Sequence, residues 1–342
     1  MAATPNPLAS SGSAPVPSVS RSTLTVSGLK VDVYGLAELH PAATNVSCLW
    51  LHHPRLRSKE DMTNIAGQVL SAYHQKQTTR GLIAVAFDQR NHGTRLVDEL
   101  ANEDWRRGNK THAQDMLGTI TGTVVDNINL LDLLPGYLFG NGDGPGASSN
   151  GGKRHIDHNL VLGISLGGHT AWQLLFADPR VTAGVMVIGC PDYMNLMKDR
   201  ARLSRLETYG QSDEGASFFG SKDFPDALVA TCNKYDPKTI LFGMDAPYAL
   251  EAEVSARKFT QANITGKRFQ ILSGGADKLV PYSASEPFLQ HFKAATSAAN
   301  IYVEDNVYLG IGHQFTPNMK NDAVRFILDS VALADPTAPP KI

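Results

Sequence analysis

Residues 161–170 read VLGISLGGHT. An apolar run, Asn159–Gly163, leads into Gly163-Ile164-Ser165-Leu166-Gly167, and Gly168 follows. Continuously apolar strands are those with both faces covered. The segment after the serine, through AWQLLFADP, has helical character. A serine placed at a sharp turn from strand to helix is lifted clear of the sheet. Crowding at such a turn requires small residues two before and two after it, which Gly163 and Gly167 supply, while Gly168 opens the helix start. Ser165 then stands at a helix N-terminus, where the Leu166 N–H lacks an intrahelical acceptor and can serve an oxyanion.

A serine hydroxyl is a weak nucleophile without a base to take its proton. Two later loops supply candidates. GGADKLVP places Asp277 after the apolar run RFQILSG (268–274), and GIGH places His313 before the last amphipathic segment. The order Ser165, Asp277, His313 suits a nucleophile, an orienting acid and a general base carried at strand ends. A second acid, Asp192 in GCPDYM, follows the earlier run GVMVIGC (184–190) and competes with Asp277 for the same role.

Working outward, the chain alternates strand and helix signals. TLTVSGLKVDVY (23–34) reads as an edge hairpin around Ser27-Gly28. VSCLWLH (46–52) and GLIAVAF (81–87) are buried strands. Ser58 and Asp61 form a capping box before a helix carrying Met62, Ile65, Val69, Leu70 and Tyr73. A long helix is predicted from Ala113 to Leu134, with Pro135-Gly136 ending it. GNGDGPGASSNGG (140–152) is a loop. NIYVED (300–305) and a helix over 321–332 complete the series. The interval from Pro191 to about Gly266 is too long for a connection and reads as a mostly helical insertion over the sheet edge, part of which rejoins the core. The alternation predicts an α/β class with helices on both faces.

Composition bounds the function. Of 342 residues, 42% are hydrophobic and 19% charged, and the net charge of -2 disfavours a nucleic-acid partner. No run approaches a membrane-spanning helix. MAATPNPLASSGSAPVPSVS lacks the basic start and apolar core of a signal peptide and reads as a disordered lead over residues 1–22. Cys48 and Cys190 lie in or at the end of apolar runs, as buried thiols of a reducing compartment do, so a cytoplasmic location is expected. Cysteines and histidines show no metal-ligand spacing, so neither a metal nor another cofactor is expected.

These motifs, GISLGG, DQRNHGTR (88–95), GGADKLVP and GIGH, resemble the α/β-hydrolase superfamily in its esterase and serine-aminopeptidase-like branch. The resemblance covers about residues 24–332. It implies an eight-stranded, mostly parallel sheet flanked by helices, with a cap insertion at approximately 191–262 of a domain spanning 23–335. It also implies cofactor-free hydrolysis through an acyl-enzyme, with Ser165, Asp277 and His313 as catalytic residues. Many relatives carry His-Gly after the third strand, where this chain has His52-His53-Pro54-Arg55. Aligning His53-Pro54 with that pair makes the Arg55 N–H the second oxyanion donor. The other register places Pro54 there, which has no N–H to give. In the same scheme Asp88, Arg90 and His92 are supporting residues, and Met194, Met197, Phe218, Phe219, Phe224 and Met244 pack the insertion or line an acyl pocket. The expected partner is a small-molecule acyl substrate, with small or medium carboxylic esters leading. Amides, peptides, thioesters, acyl transfer and a non-catalytic ligand-binding role remain open alternatives. Nothing in the sequence specifies an oligomeric partner.

Overall fold

Ser27 and Gly28 both have positive φ, 48° and 82°, which lets two residues reverse the chain between strands β1 (Arg21–Val26) and β2 (Leu29–Tyr34). The computed structural model describes residues 6–9, 18–76, 78–140, 144–147, 153–244 and 252–335. The hairpin starts an eight-stranded sheet of order β1-β2-β4-β3-β5-β6-β7-β8. Its other strands are β3 (Asn45–His52), β4 (Gly81–Phe87), β5 (His155–Ile164), β6 (Val181–Val187), β7 (Arg268–Gly274) and β8 (Tyr302–Tyr308). From β4 to β8 all neighbouring pairs are parallel, whereas β2 runs antiparallel to both β1 and β4. The carboxyl ends of the parallel strands therefore share one edge. On it, β3 lies between β4 and β5, so the chain steps to one side of β3 and then crosses to the other, the switch point at which open α/β sheets place their sites.

The helices are α1 (Thr63–His74), α2 (His112–Phe139), α3 (Leu166–Ala177), α4 (Tyr193–Ser204), α5 (Asp226–Tyr235), α6 (Pro237–Phe242), α7 (Ala252–Gln261), α8 (Tyr282–Ala295) and α9 (Pro317–Leu333). Strand alternation divides the core into two layers. Cys48 and Trp50 of β3 face α2, α3 and α8, while Leu49 and Leu51 face α1 and α9. Trp172 of α3 anchors the first layer, stacked on Phe269 at 5.6 Å between centroids and edge-on to Phe288 at 5.8 Å. The Ser58–Asp61 capping box forms ahead of α1, first on a short 3-10 turn. Cys48, Cys190 and Cys232 are buried and unpaired by disulfides.

Two expectations shift, at Pro135 and at the N-terminal lead. Pro135 does not stop α2. Its missing N–H removes one helical bond, yet the helix runs one further turn because Leu134 and Leu138 are both buried in the core. The interval between β6 and β7 carries α4 to α7 and divides between two clusters. Leu241, Phe242 and Phe259 join the layer around Trp172, whereas α4 and α5 pack in a separate cluster with Leu166. Finally, residues 6–9 of the lead are ordered against the fold: Pro7 is buried, its carbonyl accepts from the Phe315 N–H at 2.8 Å, and Leu8 packs on the layer under α9. Residues 1–5 and 10–17 of that lead, and most of the 140–152 loop, lie outside the described residues. Among those residues no helix is long and apolar enough to cross a membrane.

Phe315 is itself fully buried, so losing the Pro7 carbonyl leaves its N–H without that acceptor. Removing residues 1–17 should preserve cooperative unfolding but lower its free energy by about 1–3 kcal/mol. Urea titration of the full and shortened chains reads this directly, and equal midpoints and slopes would show that the contact contributes nothing.

Candidate active site

Strand β5 ends at Ile164, and Ser165 takes φ 55° and ψ -111° before α3 begins at Leu166. A non-glycine residue at positive φ is strained and persists only where its surroundings hold it. Here they do. The Ser165 N–H donates to the Val187 carbonyl at 2.9 Å, and its own carbonyl accepts from Gly168 and His169 at 2.8 and 3.1 Å. The space is closed on every side. A Cβ on Gly163 would lie 1.8 Å from the Gly167 carbonyl oxygen, and one on Gly167 would lie 2.1 Å from that of His52. One on Gly168 would meet the Val187 oxygen at 2.9 Å.

The structure brings Ser165, His313 and Asp277 together. Ser165 Oγ lies 2.8 Å from His313 Nε2, and His313 Nδ1 lies 2.7 Å from Asp277 Oδ2. A carboxylate oxygen accepts, so Nδ1 carries the proton and Nε2 is left to accept from the serine. The other Asp277 oxygen accepts from the Leu279 and Val280 N–H groups at 2.8 and 3.0 Å. Asp277 and His313 are both buried. Their loops are joined by backbone bonds, Gly275 N–H to Tyr308 O and Ala276 N–H to Ile311 O. A Cβ on Gly274 would lie 2.4 Å from the Gly312 oxygen, so the two loops touch without side chains between them.

Asp192 serves elsewhere. It is the N-cap of α4, accepting from the Asn195 N–H at 3.0 Å. It sits beside Asp236, a carboxyl that sequence reasoning did not single out. Asp236 is buried and accepts from the Tyr193 N–H and the Thr239 hydroxyl. Burial first, and the Asp192 charge second, push its pKa well above the usual carboxylate range.

Of the two expected oxyanion donors, Leu166 directly follows Ser165 and Arg55 lies in the loop leaving β3. His53 shapes that loop. Its Nε2 accepts from the Gln89 N–H at 3.0 Å, so its Nδ1 donates to the Pro54 carbonyl at 2.8 Å. The Gln89 amide donates to the His53 carbonyl and accepts from Thr170 of α3 at 2.9 Å. Gln89 thus ties the β3 loop to the helix behind the serine, a role no motif announced. Among the described residues the Arg55 N–H donates to no protein acceptor. Its guanidinium donates to the Asn102 carbonyl at 2.9 Å.

Asp88, Arg90 and His92 do not reach the serine's hydrogen-bond chain. Asp88 accepts from the Lys59 and Thr94 N–H groups, each at 2.9 Å. Arg90 makes two 3.1 Å bonds to Asp126. His92 Nδ1 bonds the Arg90 carbonyl, and its ring lies 5.4 Å from that of His53. Burial lowers both His53 and His92 to about 4, so both stay neutral near pH 7. His169, one turn after Ser165, bonds the Cys190 backbone and is held at about 3 by the same cause. Met197, Phe218 and Phe224 are fully buried in the α4–α5 cluster, Met194 nearly so, Phe219 packs against it, and Met244 is exposed. No group of three or more metal-ligating side chains occurs among the described residues.

No family model matches this chain, and neither does any curated protein. Solved structures do. The chain is similar to TT1662 from Thermus thermophilus, at 18% identity and a TM-score of 0.54, covering 91% of this chain and 97% of that one. It is also similar to esterase B from Lactobacillus rhamnosis, solved with a tributyrin phosphonate inhibitor. That match has 15% identity and a TM-score of 0.50, over 92% and 87% of the two chains. At such identities the likeness is one of fold, and the fold is that of the α/β-hydrolases.

The buried Asp236 carboxyl makes a stability prediction. Its folded pKa is raised, so the folded chain holds a proton that the unfolded chain releases above its ordinary value near 3.8. Stability contributed by this group therefore falls as pH rises above that value. Asp236→Asn, which keeps an acceptor for Tyr193, should be more stable than the parent at pH 8 and lose that advantage near pH 4. Thermal unfolding across this range tests it, and an unchanged difference at both ends would contradict it.

Proposed function

We propose that the chain is a serine hydrolase that cleaves a small or medium carboxylic ester through an acyl-enzyme. The observation that carries the reading is the continuous hydrogen-bond chain from Ser165 through His313 to Asp277, built on a strained elbow. Ser165 Oγ attacks the acyl carbonyl while His313 Nε2 takes its proton. Asp277 keeps Nδ1 protonated and stabilises the imidazolium that forms. The N–H groups of Leu166 and Arg55 receive the oxyanion. His313 then protonates the leaving group, and in the second half it deprotonates the water that releases the acid. Every proton moves through one imidazole, so this cycle draws on side chains, two backbone donors and water alone. Helices α4 and α5, packed on Leu166, act as a cap over the acyl side. The inhibitor-bound esterase with the same fold supports an ester as the substrate class.

The test is intact-mass measurement after a fluorophosphonate probe. One adduct on the parent chain and none on Ser165→Ala is the expected result, and no adduct on folded parent chain would sink the nucleophile assignment. Turnover of a short-chain ester then separates the acids. Asp277→Asn should lose on the order of 10³–10⁴-fold in kcat, through the wrong imidazole tautomer, while Asp192→Asn should lose less than about tenfold. The reverse order would assign the orienting carboxylate to Asp192.

A further inference from the structure

A cleft opens between the loop leaving β3, the acid loop and α4, lined by Arg55, Asp104, Arg106, His112, Arg200 and Lys278 among others. Four of those side chains are cations and one is a carboxylate. His112 adds no charge: burial and the two nearby guanidiniums hold it well below its ordinary pKa. Its Nδ1 bonds the Glu103 carbonyl, so its Nε2 accepts from Arg200 at 3.2 Å. The other partners of Arg200 are equally neutral, the Met116 sulfur at 3.1 Å and the Leu279 carbonyl at 3.1 Å. Arg55 rests on the Asn102 carbonyl. Among the described residues neither guanidinium has a carboxylate within ion-pair distance. Of the nearby carboxylates, Glu103 pairs with the Arg107 guanidinium, while Asp104 accepts from the Arg107 N–H at 3.2 Å and is the carboxylate whose charge reaches both guanidiniums. Two like charges are thus held near each other, half-buried, by neutral acceptors. Burial and the Arg55 charge hold Arg200 down to about 10, a cost that a bound anion would relieve.

The backbone links the cleft to Asp277, although none of Ser165, Asp277 and His313 lines it. Leu279 donates its N–H to Asp277 and offers its carbonyl to Arg200, so one residue separates the acid from the guanidinium. Arg55 carries the proposed oxyanion N–H on its backbone and lines the cleft with its side chain. The half-open space, about 70 Å³, suits one small anionic group rather than a long chain. A guanidinium fork matches a carboxylate in two parallel bonds.

We infer that this cleft binds a carboxylate on the substrate, so that the preferred ester carries a free carboxylate a few bonds from the scissile carbonyl. The inference rests on the hydrolase reading for its placement, and its test is separable from that reading.

Calorimetric titration at low ionic strength, on the parent chain and on Ser165→Ala, compares succinate with its neutral analogue succinamide. Succinate should bind at least about tenfold more tightly to both. Arg200→Gln should weaken succinate by about tenfold or more and erase the preference, and Lys278→Gln, on the exposed rim, should weaken it about threefold. Should Arg200→Gln fail to fold, Lys278→Gln carries the comparison. The kinetic arm compares the p-nitrophenyl hemisuccinate and butyrate esters: the parent should favour the former in kcat/KM, and the ratio should collapse in the variants. Equal affinity for the two probes, no succinate binding, a preference unmoved by the variants, or tighter binding of inorganic phosphate would overturn the inference. Fluorophosphonate labelling without a succinate preference would remove this inference and leave the hydrolase. A succinate preference without labelling would leave an anion site and remove the hydrolase.

Discussion

The geometry of the site depends on a steric constraint, the absence of side chains where β5 turns into α3. Gly163 and Gly167 press against each other through Gly167 O, Gly167 presses on the end of β3, and Gly168 presses on the end of β6. Any Cβ at these places would separate strands that must be adjacent. The crowding has a second consequence. It leaves Ser165 only a positive φ, a conformation costing on the order of 1–3 kcal/mol. The bond its N–H donates to the Val187 carbonyl and those its carbonyl accepts from the first turn of α3 hold it there. The energy of the buried sheet is thereby used to aim one hydroxyl away from it.

The same device recurs across the sheet. Gly274 ends β7 against Gly312, and two backbone bonds lock the acid loop to the base loop. Orientation of His313 relative to Asp277 is thus a property of two strand ends, not of flexible side chains. The serine, the acid and the base each leave the carboxyl end of a parallel strand or follow one closely. Register between strands sets their separation, and side-chain rotamers need only close the last hydrogen bonds. A hydrogen-bond chain of this kind is short because the sheet is stiff.

What was legible in the sequence follows from what repeats. The continuous apolar run GLIAVAF announced β4 to the residue, because a strand buried on both faces leaves no polar position to blur its ends, and RFQILSG placed β7 as well although Arg268, Gln270 and Ser273 interrupt it. The elbow glycines and the Ser165, Asp277, His313 order were readable for a similar reason: steric and chemical needs admit few residue types. Pro135 misled because a local rule about a missing N–H was outweighed by burial of Leu138 one turn later. Pro7 misled because composition describes how little a segment can bury alone, not that one carbonyl finds a buried N–H at Phe315. Gln89 was not singled out within DQRNHGTR, since a glutamine whose amide joins a backbone carbonyl to a threonine hydroxyl has no spacing to advertise it.

The stretch from Asp88 to Thr111 shows the limit most clearly. It has three short 3-10 turns and no apolar period, yet it supplies Asp104, Trp105 and Arg106 to the charged cleft. Its order comes from asparagine side chains that replace missing backbone partners. Asn91 accepts from the Val97 and Asp98 N–H groups, Asn102 donates to Asn91 O, and Asn109 donates to the Ala101 and Glu103 carbonyls. The Asn102 carbonyl then receives the Arg55 guanidinium. A loop pinned this way has little freedom to swing a carboxylate onto that cation, and Asp104 is already turned back to cap its own turn. The positive charge of the cleft is therefore built into the backbone path. It persists because the residues best able to neutralise it are held by bonds of their own.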